Sequence, residues 1–296
     1  MELSIQEKVL LKPYTTWQVG GPAEYFCLPK TIADIKFACK WAQEKNLAVT
    51  VLAGGSNVLV SDQGVDGLVI CLKYFNYLKT GSEGGVFRIS CDSGVAKSEL
   101  LKTYLKNKLA PAVFLAGIPG DVGGGVVMNA GIAESIKPRE FVEIVESIEV
   151  LKPDLSVKKY MNADLNWSYR HCNGWQPGII VGVTLAWPEK PDDQVLDKVR
   201  SANKTRLSKQ PLDMPSCGSV FVNPPGHKAA QLIETCDLKG FQIGQAQVSK
   251  KHANFIVNLG GCSSSDLLRV IEHVKSKVKA QTNVSLQTEV IKIGRW

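Results

Sequence analysis

Fourteen of the 26 glycines fall between Gly54 and Gly131, and most of the constraint they carry sits in two short phrases, AGGSN (53–57) and AGIPGDVGGGVVMNAG (116–131). Each glycine costs conformational entropy on folding, so crowding them into two phrases points beyond turn-making. Loops of this kind let backbone N–H groups approach a ligand closely, and the pair together reads as a cradle for a phosphate or dinucleotide. Neither G-x-x-x-x-G-K-[ST] nor a G-x-G-x-x-G leading from strand to helix occurs in the chain, which excludes a P-loop kinase and an ordinary Rossmann dehydrogenase. A bound dinucleotide therefore needs another architecture.

The hydrophobic periodicity is that of a mixed α+β chain. Thr31 to Lys45 puts Ile35, Ala38, Cys39 and Ala42 on one helical face, with Thr31 and Asp34 spaced as a capping box. Strands are expected at 48–52, 58–60, 68–72, 141–151 and 178–187. The segment PEKPDDQ (188–194) reads as a domain boundary. Beyond it the pattern gives a helix over 195–207, a strand over 219–223, a helix over 227–238 stopped by Gly240, and a strand over 252–258. A helix over 264–278, with Leu267, Ile271, Val274 and Val278 on one face, and a last strand over 286–294 complete the chain.

Charge and cysteine content narrow the partners. Lys+Arg 35 against Asp+Glu 28 leaves +7, scattered without long runs of one sign, which argues against a nucleic-acid tail and suits a small anionic ligand. The eight cysteines form no Cys-x-x-Cys pair and do not cluster with the four histidines, so no metal site is expected and most thiols read as reduced, buried side chains. No stretch is apolar enough to span a membrane, and Glu2, Glu7, Lys8 and Lys12 stand where a signal peptide needs apolar residues. A cytoplasmic protein with no membrane partner is expected.

Three residues invite a chemical reading that the pattern alone leaves open. Ser219 follows the turn-like PSCG, but no histidine stands at a useful spacing, and turn serines commonly serve the backbone. Glu289 is either the solvated end of a strand face or a carboxyl at the lip of a cleft, where apolar neighbours raise its pKa. Arg170, between aromatics in DLNWSYRHC, either stacks on them or faces an anion.

The phrases TTWQVGGPAEYF, LAGGSNVLVSDQGVDGLVI, AGIPGDVGGGVVMNAGI, WSYR, PSCGSVFVNP, VSKKHANFIVN and LQTEVIKIG resemble, in order and over nearly the full length, those of the UDP-N-acetylenolpyruvoylglucosamine reductase family. The resemblance implies an α+β FAD-binding domain of the vanillyl-alcohol-oxidase (PCMH) type over 1–189, in subdomains of about 1–70 and 71–189, and a substrate domain over 190–296. It also implies non-covalent FAD, NADPH as co-substrate, a UDP-sugar substrate, and no obligate protein partner. The short segment after Trp187 is similar to the shorter form of the family.

By the same resemblance Ser219, Arg170 and Glu289 are catalytic. Gly54, Gly55, Ser56, Asn57, Val58, Gly117, Ile118, Pro119, Gly120, Gly123, Gly124, Asn129, Ala130 and Gly131 line the flavin, and Arg206, Lys209, Asn223 and His252 hold the substrate. Two positions depart from the family pattern: Cys172 stands where a serine is usual after the YR pair, and Cys217 replaces a common alanine before Gly218. An FAD-dependent alcohol oxidase or dehydrogenase of the same fold and a non-catalytic nucleotide-sugar binding module are the rival readings. The intact Ser219, Arg170 and Glu289 speak against the second rival, and the carboxyl-terminal phrases speak against the first.

Overall fold

The computed structural model describes residues 3–132 and 136–296. They form two compact units: Phe26–Gly54 and Leu68–Thr205, joined by the first residues up to Ile5, and Gln6–Tyr25, Gly55–Gly67 and Arg206–Trp296.

In the first unit α1 (Ile32–Glu44) begins with the expected capping box. The Thr31 hydroxyl accepts from the Asp34 N–H at 3.1 Å, and the Asp34 carboxylate accepts from the Thr31 N–H at 3.0 Å, which satisfies backbone donors that the first turn leaves unpaired. Its buried face is Ile35, Ala38, Cys39 and Ala42. Strand Val49–Leu52 then runs parallel to Leu68–Cys71. A five-stranded antiparallel sheet follows, in the order 78–83, 86–92, 179–188, 145–151, 157–161. The strand Val86–Asp92 shows why it faces as it does: Phe87, Ile89 and Cys91 are buried while Arg88 on the opposite face pairs with Glu146 at 2.9 Å.

The helices α2 (Lys97–Lys106), α3 (Pro111–Leu115) and α4 (Val122–Val127) supply Leu100, Tyr104, Phe114, Val122 and Val126 to the same core as Phe87, Ile89, Ile148 and Leu185. Edge-to-face contacts join Phe87 to Tyr104 at 6.2 Å and Phe114 to Phe141 at 6.0 Å. Because Phe141 turns inward to make that contact, residues 141–143 form a 3-10 turn, and the strand expected from 141 begins at Val145. The helix expected after the proline-rich segment, α5 (Val195–Lys209), sends Val195 and Val199 into this core.

The second unit is built on α6 (Ala229–Thr235), an antiparallel sheet of 242–243, 246–248 and 256–258, and α7 (Ser264–Thr282). The buried face of α7 includes Leu267, Ile271, Val274 and Val278, as the periodicity predicts. The helix runs a turn past Val278, through residues no apolar stripe would reveal, and ends on Asn283 at φ 59°. Trp17, Phe221, Ile233 and Ile256 pack in this core. The Trp17 indole donates to the Ile256 carbonyl at 2.8 Å, and Asn258 donates to the Trp17 carbonyl at 2.8 Å.

Three expected strands in this unit are shorter or absent. Residues 219–223 form no strand; Phe221 makes a single bridge with Thr288. The backbone groups of Phe221 go instead to Asn254, whose side chain accepts from the Phe221 N–H at 2.9 Å and donates to the Phe221 carbonyl at 2.8 Å, while the Val222 N–H donates to the Gln287 carbonyl at 3.1 Å. A side chain has taken the place of a neighbouring strand. For the same reason 252–255 turn, with Phe255 N–H donating to the His252 carbonyl at 3.0 Å, and the strand is Ile256–Asn258. The last strand is Ile291–Ile293, parallel to Val58–Val60.

Candidate active site

In the first unit Gly54, from the first glycine phrase, meets the second phrase. A Cβ on Gly54 would stand 2.9 Å from the Gly120 Cα and 3.1 Å from the Asp121 carboxylate, closer than any side chain tolerates. The second phrase is pinned from beneath by Lys97. Its N–H donates to the Gly120 carbonyl at 3.0 Å and its ammonium to the Pro119 carbonyl at 2.8 Å, and its ammonium lies 5.8 Å from the Phe141 ring centroid. Burial pushes the Lys97 ammonium down to about 8 against the pull of Asp121, and pushes the Asp121 carboxyl up to about 6 against the pull of Lys97.

The glycines of GDVGGG do different jobs. The sequence reading takes this run as loop, yet 122–127 is helical. A Cβ on Gly123 would lie 2.8 Å from that of Ser93, and one on Gly125 would lie 2.4 Å from the Phe141 ring, so these two permit close packing. A Cβ on Gly124 would meet nothing within 4 Å, and its backbone faces open space. Gly117 and Gly120 adopt φ of +75° and +85°, with exposed or half-exposed Ile118 and Pro119 between them.

Arg170 is aimed by a two-residue turn. Trp167–Ser168 pairs with His171–Cys172, and Arg170 takes φ 58° as the second turn residue. Its guanidinium donates to the Gly131 carbonyl at 2.9 Å and to the Asn129 carbonyl at 3.5 Å, and stands 3.8 Å from the Glu140 carboxylate. It also lies 4.8 Å from the Tyr169 ring centroid, so both stacking and polar contact occur. The structure thus brings Asn129, Ala130, Gly131 and Arg170 together. Glu140, which sequence reasoning missed, belongs with them; a lone glutamate in a loop carries no periodic signal.

In the second unit Ser219 is half-buried between Gly218, at φ 82°, and the fully buried Val220. The Val220 carbonyl accepts from the Glu289 N–H at 2.8 Å. Asn57 donates its side-chain amide to the Glu289 carbonyl at 3.0 Å, and its own carbonyl accepts from Ile291 at 3.0 Å. Asn57 therefore fixes the segment that carries Glu289, and Val58 opens the strand pairing with Ile291. Gly55, at φ 60°, accepts from the Thr16 N–H at 3.1 Å, and Ser56 beside it is half-buried. Burial first, then the charge of Glu289, holds the Cys217 thiol well above its ordinary value.

The expected substrate residues stand on separate elements of the second unit. Asn223 is exposed and accepts from the Ala229 N–H at 3.0 Å, which caps α6; Lys209 is exposed at the end of α5, and Arg206 one turn earlier is half-buried. His252 packs edge-on to Phe255 at 4.9 Å, and burial lowers its pKa. Asn254, the residue that holds the Ser219 segment, lies two positions from it. All eight cysteines are free and buried. No helix of the described residues is long and apolar enough to cross a membrane.

Residues 23–159 match the FAD binding domain family, and residues 210–293 match the carboxyl-terminal domain of UDP-N-acetylenolpyruvoylglucosamine reductase. These matches define a reductase of α+β fold with an FAD-binding domain. The chain is 39% identical over 293 residues to the UDP-N-acetylenolpyruvoylglucosamine reductase of Lactobacillus delbrueckii subsp. bulgaricus, covering 99% of this chain and 96% of that protein. It is 37% identical to the enzyme of the same name from Clostridium novyi, over 98% of this chain and 92% of that one. The crystal structure of UDP-N-acetylenolpyruvylglucosamine reductase from Thermus caldophilus superposes with a TM-score of 0.81 at 30% identity, covering 98% of this chain and 99% of that one. The chain belongs to the UDP-N-acetylenolpyruvoylglucosamine reductase family, whose work is peptidoglycan synthesis.

The buried Lys97 has a measurable signature. The folded chain releases the Lys97 proton near pH 8 and the unfolded chain near 10.5. Between those values the unfolded chain binds more protons, so the contribution of Lys97 to stability rises with pH, by about 3 kcal/mol in all. Denaturant titrations of wild type and Lys97→Met should show wild type gaining on the variant by that order from pH 8 to 10.5. Parallel pH profiles would mean that Lys97 is solvated.

Proposed function

We propose that this chain reduces UDP-N-acetylglucosamine enolpyruvate to UDP-N-acetylmuramate with NADPH, using non-covalently bound FAD, in the bacterial cytoplasm. The observation that carries the reading is the abutment of the two glycine phrases at Gly54 and Gly120, with Gly124 open beside them, in a chain of this family. Space kept free of side chains fits a pyrophosphate-bearing cofactor, and Gly117–Gly120, Gly123–Gly124 and Asn129–Gly131 of the first unit are the residues that would hold it, with Gly54. Gly55–Val58 complete the set. The partners are small molecules, the UDP-sugar and NADPH; no nucleic acid, membrane or obligate protein partner enters the reading.

When bound, FAD supplies the hydride, which it receives from NADPH. Addition of hydride to the methylene carbon of an enolpyruvyl ether builds negative charge on the adjacent carbon and its carboxylate. Arg170 stabilises that charge as a planar, permanently charged donor held by the Gly131 and Asn129 carbonyls. Glu289, in its protonated form, donates a further hydrogen bond, and the backbone bonds from Asn57 and to Val220 fix its position. Ser219 passes a proton to the adjacent carbon, completing the lactyl ether; a hydroxyl is a poor acid, so it acts as a relay. Arg206, Lys209, Asn223 and His252 bind the nucleotide and sugar. The oxidase and binding-module readings gain no support from any observation above.

The two half-reactions separate these roles. Ser219→Ala should let NADPH bleach the flavin at a near-normal rate, while the enolpyruvyl substrate fails to reoxidise it, because the proton is needed only after the hydride has moved. Equal slowing of both would make Ser219 structural.

Steady-state kinetics separate stabilisation from binding. Arg170→Lys keeps the charge and loses the planar fork, so turnover should fall far more than substrate affinity. Lys209→Ala should raise the substrate KM with turnover largely kept. An Arg170→Lys enzyme with normal turnover and a raised KM would make Arg170 a binding residue only.

A further inference from the structure

The chemistry above gives no task to Glu140, yet its side chain enters the arrangement that aims Arg170 from two directions. One carboxylate oxygen stands 3.8 Å from the guanidinium, with the two side chains only 15% (Arg170) and 20% (Glu140) exposed. The other accepts from the Asn129 amide at 3.3 Å. That amide also donates to the Ser168 carbonyl at 3.1 Å, and its oxygen accepts from the Val142 N–H at 3.0 Å. Ser168 is the last paired residue before the Tyr169–Arg170 turn, so Asn129 holds the base of the turn while Glu140 holds Asn129.

The backbone adds a third link. Glu140 bridges Gly131 in antiparallel register, and the Gly131 carbonyl accepts from Arg170 at 2.9 Å. We propose that Glu140 is a positioning residue for Arg170, fixing the guanidinium by a direct ion pair and through Asn129. The proposal rests on the catalytic reading of Arg170. Carbonyl acceptors alone set where the fork's donors point but offer weak resistance to its sliding or rotating; a carboxylate on a further side fixes the plane. Glu140 also tempers the positive charge of Arg170. Its loss should therefore misaim the guanidinium without weakening its pull on a substrate carboxylate.

The test is stopped-flow of the FAD-loaded holoenzyme in its two half-reactions. Glu140→Ala should slow flavin reoxidation by the enolpyruvyl substrate by on the order of 10²-fold, the loss that a misplacement of about 1 Å brings. Flavin reduction by NADPH should stay within about twofold of wild type, and the substrate KM should not rise. Glu140→Gln, which keeps the shape and an acceptor for Asn129, should show an intermediate loss, and it serves as the test if the alanine variant does not fold. In Arg170→Lys/Glu140→Ala the two losses should be non-additive, because one acts through the other.

Reoxidation within about twofold of wild type for the Glu140 variants, or equal slowing of both half-reactions, overturns the proposal. If that result comes with an Arg170→Lys enzyme that reoxidises slowly, only the positioning role falls. If Arg170→Lys itself reoxidises normally, the catalytic reading of Arg170 falls, and the role of Glu140 with it.

Discussion

The approach of Gly54 to Gly120, where an added Cβ would come within 2.9 Å of the opposing backbone, is the constraint on which the first unit's site depends. It requires glycine at position 54, and it brings the Asp121 carboxylate within 3.1 Å of where such a Cβ would stand. The chain holds the second phrase in that position from below with Lys97, through one backbone and one side-chain bond to Gly120 and Pro119. Burying an ammonium costs stability, which the depressed pKa of Lys97 expresses directly. A hydrophobic side chain would fill the same volume at lower cost, but it could not donate to the Pro119 carbonyl.

The rest of the arrangement follows from how polar side chains substitute for regular structure. In the first unit the Asn129 side chain ties the Trp167–Cys172 hairpin to the segment after the second glycine phrase, and Arg170 sits on the turn so held. In the second unit Asn254 satisfies both backbone groups of Phe221, and Asn57 satisfies the carbonyl of Glu289. Backbone segments that carry Ser219 and Glu289 are thereby fixed without belonging to a continuous sheet.

This also explains what could be read from the residues and what could not. Helix α1 was legible because an apolar stripe and a capping box coincide, and α7 from its apolar stripe alone; its capping box, Ser263 with Asp266, emerges only in the structure. The strand 179–188 was legible as a continuous apolar run. Helix α4 was hidden because three of its six residues are glycine, a composition that speaks for loop until Ser93 and Phe141 are seen pressing on Gly123 and Gly125. The strand expected at 219–223 failed although its apolar residues are buried, Val220 and Phe221 among them, because its backbone partners are a side chain and one bridge. Asn57 read as a flavin ligand by resemblance, and its amide bonds the Glu289 carbonyl. The roles of Lys97 and Glu140 depend on residues distant in sequence, so no local pattern announces them.

That the two glycine-rich phrases hold FAD is tested most directly by the flavin content of the purified protein. The account predicts a yellow protein that releases FAD, and not FMN, on denaturation, in a ratio near one per chain, and an apoprotein that regains its colour on adding FAD. A colourless protein that FAD cannot reconstitute would contradict it.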